Sequence, residues 1–179
     1  RDTASVHVTV RPKPIVTVGT GNSPCPGGVM YFNSNGGVSY KWSGPAGFTR
    51  TIQNPSIFNA SRANIGTYTV SVTNQFGCIA SKSVQARILD EPRLSLQNNS
   101  PVCEGDDLTM SITGASSYVW TSPTGSNFTF PSWRLSNAQR SDNGTYTVVG
   151  TSAGGCKTTR TATAVINYVD PIATSNSPI

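Results

Sequence analysis

Charged side chains and strong helix formers are both scarce in this chain. Of its 179 residues, 12% are Asp, Glu, Lys or Arg. Gly, Pro, Ser, Thr and Asn fill the stretches between short apolar segments, with a turn signal about every eight to twelve residues. This composition argues against a helical protein and predicts an all-β domain, either a sandwich or a barrel.

The residue types that enzymes use are also scarce. The one histidine, His7, is predicted on an outward-facing strand position, and no dyad or triad can be assembled around it. The sequence contains no Gly-rich phosphate loop between a strand and a helix, and the four cysteines have neither a CxxC pair nor a Cys/His metal spacing. We therefore predict that this segment is not an enzyme.

Two classes of partner lack a recognisable signal in the sequence. No apolar run is long enough to cross a bilayer, and no nucleic-acid-binding module is present. We expect neither membrane insertion by this segment nor a nucleic-acid partner.

An internal repeat is the strongest positive signal. "NIGTYTVSVTNQFGC", which ends at Cys78, returns 78 residues later as "DNGTYTVVGTSAGGC". A fixed period of this kind is typical of a duplicated array. The same shift aligns Cys25 with Cys103, Trp42 with Trp120, Tyr68 with Tyr146, and Cys78 with Cys156. The predicted divisions are residues 1–11 as the last strand of a preceding repeat, 12–90 and 91–170 as two full repeats, and 171–179 as the start of a following repeat.

Apolar residues at every second position predict the inward faces of the strands, because successive side chains on a strand point to opposite faces. The tryptophans and tyrosines of the repeat, Trp42, Tyr68, Trp120 and Tyr146, are the predicted core. In the first repeat the other inward positions are Val16, Val18, Met30, Phe32, Tyr40, Ile57, Val70, Val72, Val84, Ala86 and Ile88. In the second they are Leu94, Leu96, Leu108, Met110, Ile112, Tyr118, Leu135, Val148, Ala162, Ala164 and Ile166.

Each repeat carries two cysteines that are 53 positions apart. A domain this small has a marginal core, and one disulfide within each repeat would stabilise it. The spacing therefore predicts the pairs Cys25–Cys78 and Cys103–Cys156. Persistent disulfides are typical of an oxidising, extracellular or periplasmic compartment.

A tryptophan on the third strand, followed 26 residues later by a "[DN]xGxYxV" segment, resembles the immunoglobulin fold. The resemblance implies two tandem immunoglobulin-like β-sandwich domains, each with a tyrosine corner. One feature departs from the usual pattern. Val70 and Val148 stand where the second cysteine normally lies, and the cysteines come ten residues after each tyrosine. The predicted disulfides are therefore non-standard.

The combined pattern "NSPVCEGDDLTM", "YVWTSPTG" and "SDNGTYTVVGTSAGGC" resembles the tandem Ig-like repeats of secreted Bacteroidetes surface proteins. Gliding-motility adhesins of the SprB type and other proteins of the type IX secretion route contain such repeats. The resemblance implies a location outside the cell or on its surface, with neighbouring repeats of the same chain as partners. The short "DTA" segment is similar to a Bacteroidetes O-glycosylation signal and makes Thr3 a candidate glycan site.

Positive charge is concentrated in the first repeat. Residues 3–89 hold seven basic side chains and no acidic one, although the whole chain has a net charge of +5. Lys41, Arg50 and Arg62 are candidate contacts for an acidic polysaccharide or a charged surface. The alternative is that these side chains keep the sandwich soluble and protect its edges.

Two further clusters in the second repeat are candidate sites. Phe128, Phe130 and Trp133 lie in "NFTFPSW", where the repeats differ most, and exposed aromatic rings can bind a sugar or a protein. Their alternative role is to fill the core. The acidic residues near the repeat junctions are candidate Ca²⁺ ligands. They are Asp90, Glu91, Glu104, Asp106, Asp107 and Asp170.

The function that these features predict is mechanical and adhesive. "RPKPI" and "DEPRL" place proline at the junctions between repeats, where it restricts the hinge and favours a semi-rigid stalk. One alternative is a passive spacer in a secreted, polysaccharide-active enzyme whose catalytic domain is elsewhere. A second alternative is a receptor-like module that binds one protein.

Overall fold

The computed structural model describes residues 2–168, and the chain divides into two compact units between Asp90 and Glu91. Within the described range both units consist of β-strands joined by loops and three short 3-10 turns. No helix in residues 2–168 has the length and apolar character needed to cross a membrane.

Unit 1 contains two antiparallel sheets. The first has the strand order β1-β2-β5, and the second has the order β4-β3-β6-β7. The strands are β1 (Thr17–Thr20), β2 (Met30–Asn35), β3 (Ser39–Ser43), β4 (Thr49–Arg50), β5 (Ser56–Ile57), β6 (Gly66–Thr73) and β7 (Ile79–Ala86). Its 3-10 turns are Pro45–Gly47 and Arg62–Asn64.

Unit 2 repeats this plan with a third, short pairing. Its sheets have the orders β13-β10-β8 and β12-β11-β14-β15, and β9 pairs in parallel with β16. The strands are β8 (Ser95–Asn98), β9 (Val102–Cys103), β10 (Leu108–Thr113), β11 (Ser117–Thr121), β12 (Asn127–Phe128), β13 (Ser132–Leu135), β14 (Gly144–Thr151), β15 (Lys157–Ala164) and β16 (Ile166–Asn167). Its 3-10 turn is Arg140–Asp142.

Alternation along the strands produces the core between the two sheets of each unit. In β2 the side chains of Met30, Phe32 and Ser34 are buried and the intervening ones are exposed. β10 shows the same pattern. On the outward face, hydroxyl groups pair across β6 and β7, with Thr69 Oγ1 lying 2.9 Å from Ser83 Oγ. One apolar and one hydroxyl-rich face is what a sheet in a sandwich requires.

Each core is organised around a tryptophan and a tyrosine. Trp42 and Trp120 are fully buried on β3 and β11. Tyr68 donates its hydroxyl to the Asn64 carbonyl oxygen at 2.9 Å, and Tyr146 donates to the Asp142 carbonyl oxygen at 3.3 Å. These are the predicted tyrosine corners, in which the hydroxyl bonds to backbone just upstream. The all-β, immunoglobulin-like sandwich predicted from the sequence is confirmed.

The last long strand of each unit, β7 or β15, is an edge strand that carries a basic side chain. Lys82 on β7 lies opposite the buried Val70, and Arg160 on β15 lies opposite the buried Val148. Directly paired residues share a face, so both basic residues are on the inner face, yet both are exposed at the edge. An inward-pointing charge prevents a further strand from adding there. Edge protection, the alternative offered for the basic residues, therefore accounts for Lys82.

Residues 1–11, predicted as the last strand of a preceding repeat, do not form a strand in the described part of this segment. Residues 2–16 contain no strand, and the side chains of Val6, Val8 and Val10 are 76–86% exposed. A strand needs a neighbouring strand to satisfy its backbone groups, and none in the described residues pairs with this segment. The predicted start of a following repeat, 171–179, lies outside the described residues.

Each unit has two poles, defined by where the chain begins and leaves the sandwich. In unit 1, Asn74 Nδ2 donates to the Pro12 carbonyl oxygen at 2.9 Å, so the β6–β7 turn lies at the N-terminal pole. Leu89 N donates to the Pro24 carbonyl oxygen at 2.9 Å, which places the loop before β2 at the C-terminal pole. Cys78 therefore lies at the N-terminal pole of unit 1, and Cys25 at its C-terminal pole.

Unit 2 has the same arrangement. β8 begins opposite Thr113, and Ser116 N donates to the Thr151 carbonyl oxygen, so the β14–β15 turn with Cys156 is at the N-terminal pole. Cys103 pairs with Asn167 on β16, after the chain has passed along β15. It therefore lies at the C-terminal pole.

These positions overturn the predicted disulfides Cys25–Cys78 and Cys103–Cys156. The two cysteines of a unit are separated by about the length of an eight-residue strand, roughly 26 Å, whereas a disulfide requires Cα atoms about 4.4–6.8 Å apart. Cys25 and Cys156 are disulfide-bonded, and Cys78 and Cys103 carry free thiols. Spacing along the chain did not reveal that the cysteines of one repeat lie at opposite poles.

Candidate functional site

Two surface features contain the predicted ligand residues, one on each unit. The first is a shallow depression of about 440 Å³ on unit 1, which we call the basic depression. β3 and β4 pair Trp42 with Arg50, so Arg50 extends from the inner face at the edge strand β4, while Lys41 lies on the outward face of β3. The lining residues are Lys41, Trp42, Thr49, Arg50, Thr51 and Ile52.

The two cations of the basic depression are exposed and have no carboxylate partner among the described residues. Arg50 Nη1 donates to the Thr49 carbonyl oxygen at 2.7 Å, and its guanidinium carbon lies 5.2 Å from the centroid of the Phe48 ring. These contacts hold the arginine against the surface without neutralising it. The depression can therefore contact an anionic polymer through Lys41 and the hydroxyls of Thr49 and Thr51, with Arg50 as a second positive charge at the adjoining edge.

Arg62, the third predicted cation, does not line this depression. It belongs to the turn Arg62–Asn64, and its Nη2 lies 2.5 Å from Asp90 Oδ1. Asp90 is the first acidic residue after residues 3–89, which contain none, and it pairs with Arg62. The structure separates Arg62 from the other two candidates.

The second feature is a cleft of about 290 Å³ on unit 2, which we call the aromatic cleft. Phe128 and Trp133 meet at its base with ring centroids 4.8 Å apart, and Tyr146 lies 5.3 Å from the Trp133 ring. Polar groups lie at its rim. The lining residues are Ser122, Pro123, Thr124, Ser126, Phe128, Trp133, Leu135, Ser141, Asp142 and Tyr146.

Trp133 lines this cleft, and its indole nitrogen is buried without a hydrogen-bond partner within the described residues. The other two tryptophans are satisfied, since Trp42 Nε1 donates to the Gln53 carbonyl oxygen at 3.3 Å and Trp120 Nε1 to the Phe130 carbonyl oxygen at 3.0 Å. A buried donor without an acceptor is costly.

The same aromatic residues also serve the core of unit 2. In unit 1, Phe32 and Phe48 pack against Tyr68, whereas the aligned positions in unit 2 are Met110 and Ser126. Phe128 and Trp133 pack against the unit 2 core and supply the missing aromatic volume. Core filling, the alternative offered for these residues, is therefore part of their role. Phe130 is 65% exposed and does not line the cleft.

The predicted Ca²⁺ ligands that lie within residues 2–168 do not form a cluster. Asp107 pairs with Arg134, and Glu104 and Asp106 are exposed. In residues 2–168 no group of three or more His, Cys, Asp or Glu side chains could hold a metal ion. Asp170 lies outside the described residues.

Sequence reasoning missed several residues of these surfaces. Thr49 and Thr51 beside the cations, and Pro123 and Asp142 at the cleft, carried no signal of their own. Asp142 could have been found from its position four residues before Tyr146, because the tyrosine corner directs the ring toward that backbone. His7 and Thr3 are exposed in the segment before β1.

The tyrosine corners make stability depend on alkaline pH. Burial raises the pKa of Tyr68 above its usual value of 10.0, although the side chain of Asn64 lowers the pKa in part. Burial, and next the Asp142 carboxylate, raise the pKa of Tyr146. An unfolded tyrosine ionises near pH 10 while the folded one stays protonated. The stability contribution is therefore complete below pH 10 and is lost as the pH rises through the folded pKa.

We expect Tyr68→Phe to lower the free energy of unfolding by about 1–2 kcal/mol at pH 7, because the Asn64 carbonyl loses its donor. The variant should lose less stability than wild type above pH 10, so the two curves should converge. Urea midpoints between pH 7 and 11, with thiols alkylated, measure this. Tyr31→Phe, at a half-exposed tyrosine, is the control. Parallel curves for wild type and Tyr68→Phe would contradict the assignment.

No family model and no curated protein sequence matches this chain. Similar solved structures include the insect immune protein hemolin, at 15% identity over 90% of this chain and 49% of the hemolin chain, with a TM-score of 0.48. Another is DIP-gamma IG1+IG2, at 13% identity over 88% of this chain and 99% of that one, with a TM-score of 0.47. The three N-terminal domains of the bacteriophage RB49 outer capsid protein Hoc give 14% identity, coverages of 86% and 59%, and a TM-score of 0.46. At these identities the likeness concerns the fold alone.

Proposed function

We propose that this chain is a non-catalytic, extracellular repeat segment of a large cell-surface adhesin. It acts as a semi-rigid stalk and binds anionic polysaccharide or charged surfaces weakly along its length. Surface attachment and gliding motility are the setting that the resemblance to Bacteroidetes repeats implies.

The observation that carries this proposal is the position of the two poles. In both units the chain begins at one end of the sandwich and leaves at the other, as the bonds of Pro12 and Leu89 show for unit 1. A repeat of this kind extends an array by one sandwich for each copy. The length of the array therefore follows directly from the number of repeats, and this function requires no catalytic residue.

Two further features support an extracellular stalk. The disulfide-bonded cysteines Cys25 and Cys156 are typical of an oxidising compartment. The prolines of "RPKPI" and "DEPRL" restrict φ near the junctions, which favours a stiff connection.

Solution X-ray scattering tests the stalk. The maximum dimension of this chain should be compared with that of a longer chain in which residues 12–170 are written a second time directly after residue 170, so that the repeats follow one another without an inserted fragment. For a stalk, each added repeat should lengthen the particle by at least roughly 26 Å, the length of one eight-residue strand. A maximum dimension that grows only with the cube root of mass would show compact packing and would contradict the stalk.

The adhesive part of the proposal rests on the basic depression. We expect the double variant Lys41→Glu, Arg50→Glu to bind heparin-like or carboxylated polysaccharide about tenfold more weakly than wild type, because two cations become anions at the contact. Binding should also fall as salt rises. Surface plasmon resonance with salt titration measures both effects.

The control for this test is the double variant Lys157→Glu, Arg160→Glu, which changes the net charge equally but alters unit 2. It should retain most of the binding. Equal losses in the two variants would mean that net charge alone, and not the depression, attracts the polymer. Absence of binding by wild type at low salt would make the repeats a passive spacer, as in a secreted polysaccharide-active enzyme whose catalytic domain lies elsewhere.

A second candidate function is recognition by unit 2, and the aromatic cleft favours it. Phe128 and Trp133 bring two aromatic rings together in this cleft, and aromatic rings of this kind can pack against a pyranose ring. A neutral oligosaccharide bound there should shift the Trp133 indole signal in an NMR titration and leave the Trp42 indole unchanged. Shifts that appear at neither tryptophan would remove this candidate and leave the core role alone.

A further inference from the structure

We propose that Cys103 and Cys78 form a disulfide between successive copies of this segment. Cys103 of one copy reacts with Cys78 of the next. The proposal is independent of any adhesive ligand and goes beyond the stalk function, because it makes each copy covalently linked to its neighbour at a second point besides the backbone.

The two free thiols lie at complementary places. Cys103 is exposed on β9 at the C-terminal pole of unit 2. Cys78 is half-buried at the N-terminal pole of unit 1, where its backbone N–H donates to Asn74 Oδ1 at 3.0 Å and its Sγ lies 3.7 Å from the Arg11 carbonyl oxygen. One thiol is thus presented where the chain leaves its unit, and the other is held beside the segment that leads into its unit.

The internal repeat supplies an independent observation that both positions form disulfides. Cys25 is the counterpart of Cys103, and Cys156 is the counterpart of Cys78. Both counterparts are disulfide-bonded, while Cys103 and Cys78 are not. The position before the second strand and the position before the last strand are therefore each competent for a disulfide.

Neither free thiol can pair with the other cysteine of its own unit. Each unit places its two cysteines at opposite poles, separated by roughly the 26 Å length of an eight-residue strand. Another copy can supply a cysteine at the pole where the free thiol lies. In a tandem array, the backbone brings the C-terminal pole of one repeat next to the N-terminal pole of the following repeat. The partner of Cys103 is accordingly the cysteine at the N-terminal pole of the next copy, which is Cys78 in this sequence.

The chemistry is thiol–disulfide exchange with a low-molecular-weight disulfide as oxidant. The Cys103 thiolate attacks the oxidant, which gives a mixed disulfide and releases one small thiol. The Cys78 thiolate of the neighbouring copy then attacks the Cys103 sulfur and releases the second small thiol. Overall, two cysteine thiols lose two protons and two electrons, and one small disulfide is reduced to two thiols.

Complementation between two single variants tests the proposal with separate molecules. Wild type in a mixture of reduced and oxidised glutathione should form a ladder of disulfide-linked oligomers that a reductant dissolves. Cys78→Ser and Cys103→Ser should each stay monomeric. An equal mixture of the two should give dimers, at least tenfold more than either variant alone, and no longer species. Mass spectrometry should identify the Cys78–Cys103 peptide, with Cys25 and Cys156 still oxidised.

Several results would overturn the proposal. Dimers of either single variant as abundant as in the mixture would show homotypic pairing. A monomer with both thiols still alkylated, or one that contains Cys25–Cys78, Cys103–Cys156 or an internal Cys78–Cys103 link, would exclude a bond between copies. Circular dichroism of each variant, and alkylation of its remaining thiol in the native state, establish that the variant is folded.

A duplicate in which residues 12–170 are written a second time directly after residue 170 distinguishes the source of the partner. If successive repeats of one chain supply both cysteines, the link should form within the duplicate at a rate independent of protein concentration. If a separate molecule supplies the partner, the rate should rise in proportion to concentration. Either rate law supports the Cys103–Cys78 bond, and failure of the duplicate to form that bond at any concentration contradicts it.

Discussion

Replacing Trp120 by alanine is expected to lower the free energy of unfolding of unit 2 by about 3–5 kcal/mol, the usual cost of deleting a buried indole. Trp120 is fully buried, its ring lies 5.9 Å from that of Phe128, and its indole nitrogen bonds to the Phe130 carbonyl oxygen. A small domain has a total stability of about 5–15 kcal/mol, so this loss is a large share of it. The variant removes packing between the sheets and a hydrogen bond that holds the segment before β13.

Two-dimensional NMR during a urea titration measures this effect for each unit separately. Amide signals from unit 2 should disappear at much lower urea than in wild type, while signals from unit 1 should change little. Val119→Ala is the matched control, because Val119 is the preceding residue of β11 and is 46% exposed on the outward face. A Trp120→Ala variant that loses no more stability than this control would show that the tryptophan does not organise the core.

The inward faces could be predicted because a strand offers only two choices for each side chain. Once Trp42 is placed inward, Tyr40 must share its face, and the paired strand β6 follows the same parity through Val70. The second repeat obeyed the same pattern independently, with Tyr118 and Trp120 buried on β11. Because both repeats show the same alternation, the inward faces of the strands can be assigned without knowing the loop conformations.

The disulfide prediction failed because the number of residues between two cysteines does not show at which pole of the sandwich each one lies. The chain reverses at each antiparallel turn, so β2 and β7 begin at opposite poles of unit 1. Cys25 precedes β2 and Cys78 precedes β7, and a count of the reversals between them would have separated the two cysteines. Loop-closure entropy favours a disulfide of this span, but it applies only where the native geometry brings the sulfur atoms together.

The sequence alone left the role of Phe128 and Trp133 in unit 2 ambiguous. Trp133 had no counterpart, which was compatible both with binding and with core filling. Only the strand register shows that it lies opposite Met110, where unit 1 has Phe32. The signal for core filling was that the positions in unit 2 aligned with Phe32 and Phe48 are not aromatic. The cleft and the unpaired indole could not be predicted, since they depend on how closely the substitute rings fill the space.

Gly114→Ala is expected to destabilise unit 2 by about 3–5 kcal/mol, because it combines a steric overlap with an unfavourable backbone conformation. Gly114 has φ of +100°, and an added Cβ would lie 1.9 Å from the Arg93 carbonyl oxygen. That oxygen belongs to the backbone leading into β8, so relief requires the segment before β8 to move away from the sheet. Gly36 repeats the arrangement in unit 1, with 2.2 Å from an added Cβ to the Ile15 carbonyl oxygen.

Gly155→Ala separates the two contributions to this cost. Gly155 also has positive φ, +85°, but an added Cβ there meets nothing within 4 Å, so the substitution should cost only about 1 kcal/mol through the backbone conformation. Urea denaturation of both variants gives the difference, which is the steric part. Hydrogen exchange should also speed up at Leu94 and along β8 in Gly114→Ala alone, since the overlap displaces the segment that begins the unit. Equal stabilities of the two variants would show that the close approach of the Arg93 carbonyl to Gly114 does not constrain the N-terminal pole.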